Sequence, residues 1–211
     1  MLDGYTLLPN GVIKQNKIFG ALQKYDIKYV QERYDTYGDN NEKMAKLRFD
    51  VITRTIGRLP TDVLDIGYGN GSFLKYAGKF CKTYGSDISG YPVPDGCEFV
   101  SNIGEKKYDV VCLFDVLEHF DDPTALNNIK TNYLVVSLPW CHHRRYGDEW
   151  FKNWKHRRPD EHLWHFDNIS LPAFVECFGY ETIHLSCVED EIRASLSTDS
   201  NILTAIFRKT Q

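Results

Sequence analysis

The sequence predicts an α/β protein built on one mostly parallel, seven-stranded sheet, with helices on both faces and an antiparallel last strand. Seven short runs rich in valine, isoleucine, phenylalanine and tyrosine are bounded by glycine, proline, asparagine or aspartate, as buried strands usually are. Segments with apolar residues at helical spacing lie between most of these runs. Strands that alternate with helices are typical of a parallel sheet whose crossovers cover both faces.

The predicted strands, in chain order, occupy residues 62–66, 83–87, 97–101, 108–114, 133–138, 180–186 and 202–207. The predicted helices occupy residues 42–56, 72–80, 122–129 and 168–178. Only the polar segment 188–200 separates the last two strands, so we expect them to pair antiparallel. The segment 87–97 contains two glycines and two prolines. We therefore expect no helix in it and one reduced flank of the sheet.

A chain of 211 residues fits a single domain. We divide it into an N-terminal arm, residues 1–41, and a main domain, residues 42–211, with an insertion at residues 140–166. The arm contains a predicted hairpin around Pro9, Asn10 and Gly11 and a tyrosine-rich stretch at residues 27–37. We expect the arm to cover either the substrate or the reduced flank of the sheet.

Composition excludes several classes of protein. A net charge of -4 with 26% charged residues is unlike that of a protein that coats nucleic acid. The six cysteines form no C-x-x-C pair, which favours free thiols over disulfides or a zinc site. The sequence contains neither an apolar run of about 20 residues nor a signal-peptide pattern at its start. We therefore expect a cytoplasmic protein that is not bound to a membrane.

A glycine-rich turn follows the first strand of the predicted sheet. Asp65 ends that strand, and Gly67, Gly69 and Gly71 alternate with other residues before a helix begins. Glycines let a ligand approach the backbone closely, but the carboxylate would repel a pyrophosphate and suits a ligand that carries an ammonium and a sulfonium. Asp87 closes the next strand, where a carboxylate can accept both hydroxyls of a ribose.

Two further stretches complete a recognisable pattern. The fourth strand continues into Asp115-Val-Leu-Glu-His119, and the fifth ends in Leu138-Pro-Trp140, followed later by Glu161-His-Leu-Trp-His-Phe166. With these motifs, residues 42–185 resemble class I S-adenosylmethionine-dependent methyltransferases, in particular the small-molecule group that includes the ubiquinone-biosynthesis O-methyltransferases. The resemblance implies a Rossmann-like sheet, S-adenosylmethionine as methyl donor and S-adenosylhomocysteine as product.

The resemblance also implies a role for individual residues at the donor. The methionine part is expected to contact Asp65, Gly67, Tyr68, Gly69 and Gly71. The ribose is expected to contact Asp87, one face of the adenine Ile88, and the edge of the adenine Asn102 and Ile103. Asp115 is expected to lie against the cofactor. A loop aspartate or asparagine more often caps a turn than binds a ligand. The order and spacing of the whole set, rather than any single residue, therefore indicate the cofactor site.

The insertion concentrates aromatic and basic residues. All four tryptophans and five of the seven histidines lie between residues 140 and 165, and residues 142–158 contain six basic and two acidic side chains. This predicts an aromatic cap that attracts anions, and hence a small anionic acceptor methylated on oxygen or nitrogen. In the alternative interpretation, Trp150, Phe151 and Trp154 only pack against the domain and the basic residues are solvated.

Three histidines are candidates for a general base, since imidazole titrates near neutral pH. They are His165, His119 and His162. In the competing interpretation, each of these histidines only forms structural hydrogen bonds. In the ubiquinone group a Glu-His pair after the fourth strand takes part in a metal site, and Glu118 and His119 match it. No further acidic ligand is evident nearby in sequence, so we predict no metal.

Two other functions remain alternatives to a small-molecule enzyme. One is a regulatory subunit that binds the cofactor without catalysis, which the reduced flank suggests. The other is an RNA or DNA methyltransferase, which basic and aromatic residues could support but the small size of the patch and the negative net charge disfavour. The expected partner is a small-molecule acceptor, and a homodimer is the further association that we consider.

Overall fold

The computed structural model describes residues 2–35, 38–193 and 198–210. In chain order the strands are β1 (Tyr5–Leu7), β2 (Ile13–Gln15), β3 (Asp62–Ile66), β4 (Lys82–Ser86), β5 (Glu98–Phe99), β6 (Tyr108–Phe114), β7 (Thr131–Pro139), β8 (Trp164–His165), β9 (Tyr180–Ser186) and β10 (Ile202–Lys209). The α-helices are α1 (Ile27–Asp35), α2 (Asn40–Ile56), α3 (Ser72–Ala77), α4 (His143–Asn153) and α5 (Ser170–Glu176). Short 3-10 turns occupy Leu117–His119, Pro123–Asn128 and Val188–Glu191.

Seven strands form the main sheet in the order β5-β4-β3-β6-β7-β10-β9. The five strands from β5 to β7 run parallel to their neighbours, whereas β10 is antiparallel to both β7 and β9. This confirms the predicted α/β class, the Rossmann-like mostly parallel sheet and the antiparallel last strand. The order places β3, which carries the glycine-rich turn, in the middle of the parallel part.

Both faces of the sheet are covered. Every residue of β6 is buried, as expected for a continuous apolar run in a parallel sheet. One face packs against Phe49 and Ile52 of α2 and Phe73 of α3. The other face packs against Leu171 and Val175 of α5 and against the 3-10 turns. The carboxyl ends of β3, β4 and β6 are left open between these layers.

Several predicted elements differ in extent. The helix expected at 122–129 is only the 3-10 turn Pro123–Asn128, since proline fixes the first turn and asparagines favour turn conformations over helix. The strand expected at 97–101 is reduced to two residues, and no helix lies between β4 and β5. The reduced flank is thus present. Residues 194–197 of the predicted loop 188–200 lie outside the described residues. So do residues 36–37 of the tyrosine-rich stretch 27–37.

A second, three-stranded sheet joins the arm to the insertion. The predicted hairpin forms β1 and β2, and β2 pairs antiparallel with β8, with Ile13 opposite His165. The Asp160 carboxylate accepts hydrogen bonds from the Gln15 side-chain amide at 2.6 Å and from the Phe19 backbone N–H at 2.9 Å. The arm is therefore fastened to the insertion, an association that local sequence patterns do not predict. The division of the chain into arm and main domain stays a prediction.

Two expectations from composition can be compared with the structure. All six cysteines are free thiols, as predicted. In the parts of the chain that the structure covers, every helix is too short or too polar to cross a membrane.

Candidate active site

A cavity of about 710 Å³ opens at the carboxyl ends of β3, β4 and β6. Its walls come from the glycine-rich turn, from α1 and α2, and from the insertion. Ligands of open α/β sheets bind at this end of the strands. The cavity therefore joins, in one space, most of the residues predicted for the donor, all except Gly71, Asn102 and Ile103, and several of those predicted for the acceptor.

The glycine-rich turn needs glycine for steric reasons. Gly67, Gly69 and Gly71 have φ angles of 72°, 55° and 74°, a region that side chains other than glycine rarely adopt. A Cβ at Gly69 would overlap the hydroxyl of Tyr34, and one at Gly67 would overlap a methyl group of Val116. The turn therefore presents bare backbone to the cavity, where α1 approaches it closely.

Asp65 is the buried carboxylate at the start of this turn. Its side chain is 2% exposed, and Oδ1 has no hydrogen-bond partner among the described residues. Burial raises the pKa of Asp65 to about 8, although the positive charge of Arg48 opposes the shift. A buried carboxyl oxygen without a partner is costly. A cationic group entering the cavity would satisfy it.

Asp87 holds the turn from the neighbouring strand. Its two carboxylate oxygens accept hydrogen bonds from the backbone N–H of Gly69 at 2.9 Å and of Ser89 at 2.7 Å. Each oxygen keeps a second lone pair that can accept a hydrogen bond from a hydroxyl group. Ile88 also lines the cavity and is 83% exposed. Tyr68 lines it too, while its hydroxyl donates to the Tyr91 carbonyl and pins the loop after β4.

The structure does not bring Asn102 and Ile103 to the cavity, because neither residue lines it. The Asn102 Oδ1 accepts the backbone N–H of Gly104 at 3.1 Å, so this side chain caps its own turn. Ile103 packs against the hydrophobic core. The strand β5 ends at Phe99, and the backbone that follows packs at Gly104 against the Asn128 carbonyl. Their predicted contact with an adenine edge gains no support from this placement.

Asp115 lines the cavity as predicted, but it belongs to a buried ion network that the sequence did not reveal. Arg193 Nη1 donates to both of its carboxylate oxygens, at 3.0 and 2.7 Å, and Arg48 lies 3.6 Å away. Both arginines also pair with Glu189, which is fully buried. Burial alone would raise the pKa of Asp115, but the two arginines outweigh it and hold this pKa well below the usual range. The network fixes the segment after β9 beside the donor region.

The three candidate histidines separate into two groups. His119 and His162 line the cavity, and their ring centroids are 4.7 Å apart. His165 does not line it but lies at the edge of the Phe151 and Trp154 rings. Burial, assisted by the charge of Arg157, lowers the pKa of His165 to about 3. The structure therefore does not bring His165 to the predicted site, because its place in β8 directs it into the small sheet.

The basic residues of the insertion are mostly engaged. Arg144 pairs with Asp167, Arg145 with Asp199, Lys152 with Glu149 and Arg158 with Glu161, and Arg157 lies over the Tyr5 ring. Lys155 lines the cavity and has no ion-pair partner within the described ranges. Phe151 is fully buried, and Trp150 stacks on Trp154 at 5.3 Å. Much of the insertion thus packs against the domain, as in the alternative interpretation, and the excess of positive charge is largely neutralised.

Sequence reasoning missed further residues that shape the cavity. Tyr25, Tyr29 and Tyr34 of the arm line it. The tyrosine-rich composition of this stretch was a signal that could have indicated them. Glu118, His119 and His162 form the one cluster in the described parts of the chain with ligand atoms close enough for a metal ion, within 4.8 Å of one another. We predicted no metal because no further acidic ligand is evident nearby in the sequence. No local pattern placed His162 beside Glu118 and His119, because His162 comes from a distant part of the sequence.

Comparison with known proteins agrees with this architecture. The model of a methyltransferase-domain family matches residues 24–185, which is most of the chain. The chain belongs to this methyltransferase family. A comparison with curated protein sequences gave no significant match.

Solved methyltransferases share the fold. The 1,6-didemethyltoxoflavin-N1-methyltransferase of Burkholderia thailandensis, with its substrate and S-adenosylhomocysteine bound, is 14% identical with a TM-score of 0.62, over 99% of this chain and 100% of that one. The magnesium protoporphyrin IX methyltransferase of Synechocystis, with S-adenosylhomocysteine bound, is 16% identical with a TM-score of 0.57, over 87% and 98%. A Haloferax volcanii structure of the Trm112 methyltransferase activator with its methyltransferase is 12% identical with a TM-score of 0.58, over 90% and 100%.

The family match and the shared architecture confirm the predicted class I methyltransferase, an enzyme rather than a binding module by its family. At these low identities the solved structures show the fold alone. Which acceptor this methyltransferase uses, and which residues bind it, must be argued from its own cavity.

Proposed function

We propose that this methyltransferase moves the methyl group of S-adenosylmethionine to an oxygen or nitrogen of a small acceptor. The observation that carries the proposal is the single cavity, which extends from Asp65 and Asp87 to His119 and His162. Methyl transfer is a displacement at a carbon already activated by the sulfonium, so the protein mainly aligns the two reactants and excludes water. A shared cavity meets that requirement.

The donor half fits S-adenosylmethionine. The unpartnered Oδ1 of Asp65 would accept a hydrogen bond from the ammonium of the methionine part, where charge makes the bond stronger. Asp87 would receive the ribose hydroxyls, and Ile88 would cover the adenine. The solved neighbours that contain S-adenosylhomocysteine or S-adenosylmethionine support this choice of cofactor.

The acceptor half is aromatic with a few polar groups. Tyr25, Tyr29 and Phe120 offer apolar ring surface, and Lys155 offers a positive charge, whereas the neighbouring Arg158 is paired with Glu161. We propose a planar acceptor that carries an anionic group near Lys155. Planar substrates named for two neighbours, a didemethyltoxoflavin and a magnesium protoporphyrin, support an acceptor of that shape. An acceptor hydroxyl must lose its proton on methylation, and of our three candidates only His119 and His162 lie at the cavity.

The test is formation of S-adenosylhomocysteine by the full chain, assayed over a panel of planar phenols, carboxylates and ring nitrogen compounds. We expect turnover with at least one acceptor and product formation that depends on it. Tight binding of the cofactor without turnover across the panel would favour the regulatory subunit. Turnover on RNA or DNA, with affinity falling steeply as salt is raised, would favour the nucleic-acid enzyme.

Lys155 gives a first prediction about the acceptor. Lys155→Met should raise the KM for an anionic acceptor by about tenfold, the effect of one lost charge-assisted hydrogen bond, and leave cofactor affinity within about twofold. Lys152→Met is the matched control, because Lys152 pairs with Glu149 on the exposed side of α4 and lies away from the cavity. Equal effects of the two substitutions on KM would contradict an anion subsite at Lys155.

A further inference from the structure

A second cavity, of about 410 Å³, lies between the hairpin of the arm and the insertion. Its walls come from β1, β2 and the turn that joins them, from α4, and from the chain at and after β8. Among the described residues, none lines both this cavity and the one at the carboxyl ends of the sheet. Small-molecule sites commonly occupy about 300–1,000 Å³, so the second cavity is large enough to hold a ligand of its own.

The hairpin side of the second cavity is apolar. Leu7, Leu8, Pro9 and Ile13 all line it. Ile13 is 1% exposed and anchors this wall in the small sheet, whereas Leu7 is 50% exposed at the rim. Covering such surface with the apolar part of a ligand releases water, which favours binding. This wall therefore suits a hydrocarbon body.

The opposite side of the second cavity carries the guanidinium group of Arg144. Its Nε donates to Oδ2 of Asp167 at 2.7 Å, and within the described residues its two terminal nitrogens have no hydrogen-bond partner. A Cβ at Gly11 would overlap Nη2 of Arg144, so a glycine in the hairpin turn lets the guanidinium lie against the backbone. Arg144 therefore presents unused hydrogen-bond donors and a positive charge beside the apolar wall.

The two acidic residues of the second cavity are already hydrogen-bonded. Besides the bond from Arg144, the Asp167 carboxylate accepts two backbone N–H groups at the start of α5, at 2.9 and 2.6 Å. Asp148 Oδ1 accepts a hydrogen bond from His143 Nε2 at 2.8 Å. The unused capacity that the described residues show is thus that of the guanidinium. Two free terminal nitrogens on a planar guanidinium match a carboxylate group in two parallel hydrogen bonds.

A buried imidazole completes the wall of the second cavity. His165 lines it and is 3% exposed, and its Nε2 has no hydrogen-bond partner among the described residues. Because burial lowers the pKa of His165 to about 3, this ring is neutral and adds no charge. Its centroid lies 6.4 Å from that of His162, which lines the first cavity. The second cavity therefore lies behind the acceptor half, one histidine away from it.

We propose that the second cavity binds a small organic monocarboxylate, with its carboxylate group on Arg144 and its hydrocarbon body against Leu8 and Ile13. One guanidinium with a neutral imidazole matches a single negative charge. A dianion such as a phosphate would place a second, uncompensated charge near Asp148 and Asp167, which costs free energy. The proposal does not depend on the proposed methyl transfer, since the two cavities are separate.

The experiment is a nuclear magnetic resonance titration of the full chain, labelled at its isoleucine and leucine methyl groups, with phenylacetate at constant ionic strength. We expect saturable shifts at the methyl groups of Leu8 and Ile13, with a dissociation constant on the order of 1 mM for a ligand of this size. Neutral phenylacetamide should bind at least tenfold more weakly, because it cannot form the charge-assisted pair. Inorganic phosphate should give no saturable shift at these methyl groups in the same range.

Arg144→Met should weaken phenylacetate binding tenfold or more, the effect of losing hydrogen bonds to a charged group. The variant should fold, because the Arg144 side chain is 50% exposed and exposed ion pairs contribute little to stability. Arg145→Met is the matched control. Arg145 is the next residue of the same helix, pairs with Asp199 and lines neither cavity, so its loss should change the affinity by less than about twofold.

Lys155→Met separates the two cavities, because Lys155 lines only the first, and it should leave the shifts at Leu8 and Ile13 unchanged. Shifts confined to residues of the first cavity and lost in Lys155→Met would overturn the proposal. So would equal affinities of Arg144→Met and Arg145→Met, or saturable phosphate binding as tight as that of phenylacetate. If Arg144→Met does not fold, equal binding of phenylacetate and phenylacetamide to the unchanged chain would contradict the proposal as directly.

Discussion

Glu189→Ala should destabilise the protein by about 3–5 kcal/mol, the usual cost of removing one partner from a buried ion pair. Glu189 is fully buried and pairs with Arg48 and Arg193, and it also accepts a hydrogen bond from Ser137 at 2.7 Å. Without it, two buried guanidinium groups share the single carboxylate of Asp115. At roughly 2–4 °C per kcal/mol for a chain of this size, the melting temperature should fall by roughly 6–20 °C.

The control for this experiment is Glu191→Ala. Glu191 lies in the same 3-10 turn and is exposed, so its loss should change the free energy of unfolding by no more than about 0.5 kcal/mol. Denaturant titration of both variants gives the comparison. If Glu189→Ala were no less stable than Glu191→Ala, the buried network would not hold the segment after β9 in place.

Asp65→Asn should weaken binding of S-adenosylmethionine by about 10- to 100-fold while the protein still folds. The loss corresponds to one hydrogen bond to a charged group, about 1.5–3 kcal/mol. The fold should persist because Oδ1 of Asp65 has no partner to lose. Asp95→Asn is the control, since Asp95 is exposed on the loop between β4 and β5. Calorimetric dissociation constants decide the matter, and equal values for Asp65→Asn and the unchanged protein would remove Asp65 from the donor site.

The same carboxyl group predicts that cofactor binding releases protons. Burial raises the pKa of Asp65 to about 8, so between pH 6 and 7 the free protein holds it mostly protonated. An ammonium at Oδ1 favours the carboxylate and lowers this pKa in the complex. Binding therefore expels a proton, and affinity should increase as pH rises from 6 toward 8. Calorimetry at pH 6.5 in two buffers with different ionisation enthalpies should show up to one proton released, and none for Asp65→Asn.

Local patterns were enough to predict most of the residues that line the end of the cavity that we propose for the donor. Asp65, the three glycines and the start of α3 follow one another along the chain, and strand, turn and helix each leave a signal over a few residues. Asp87 could be placed because parallel strands end at the same edge of a sheet. Asn102 and Ile103 were placed by the family resemblance alone, and neither lines the cavity.

Non-local contacts explain most of what the sequence did not predict. The pairing of β2 with β8 and the meeting of His119 with His162 depend on tertiary packing between remote segments, which periodicity does not encode. Counting charges gave the insertion an excess of positive charge, but counting does not reveal partners such as Asp167 and Asp199 outside the segment. The same limitation hid the network of Asp115 with its arginines.

The most direct test of the central claim is calorimetric titration of the purified chain with S-adenosylmethionine and with S-adenosylhomocysteine. The proposed donor site, from the unpartnered Asp65 to Asp87, predicts one equivalent of either compound bound per chain. It also predicts weakening by Asp65→Asn and not by Asp95→Asn. Absence of binding by a folded chain to both compounds would contradict the account.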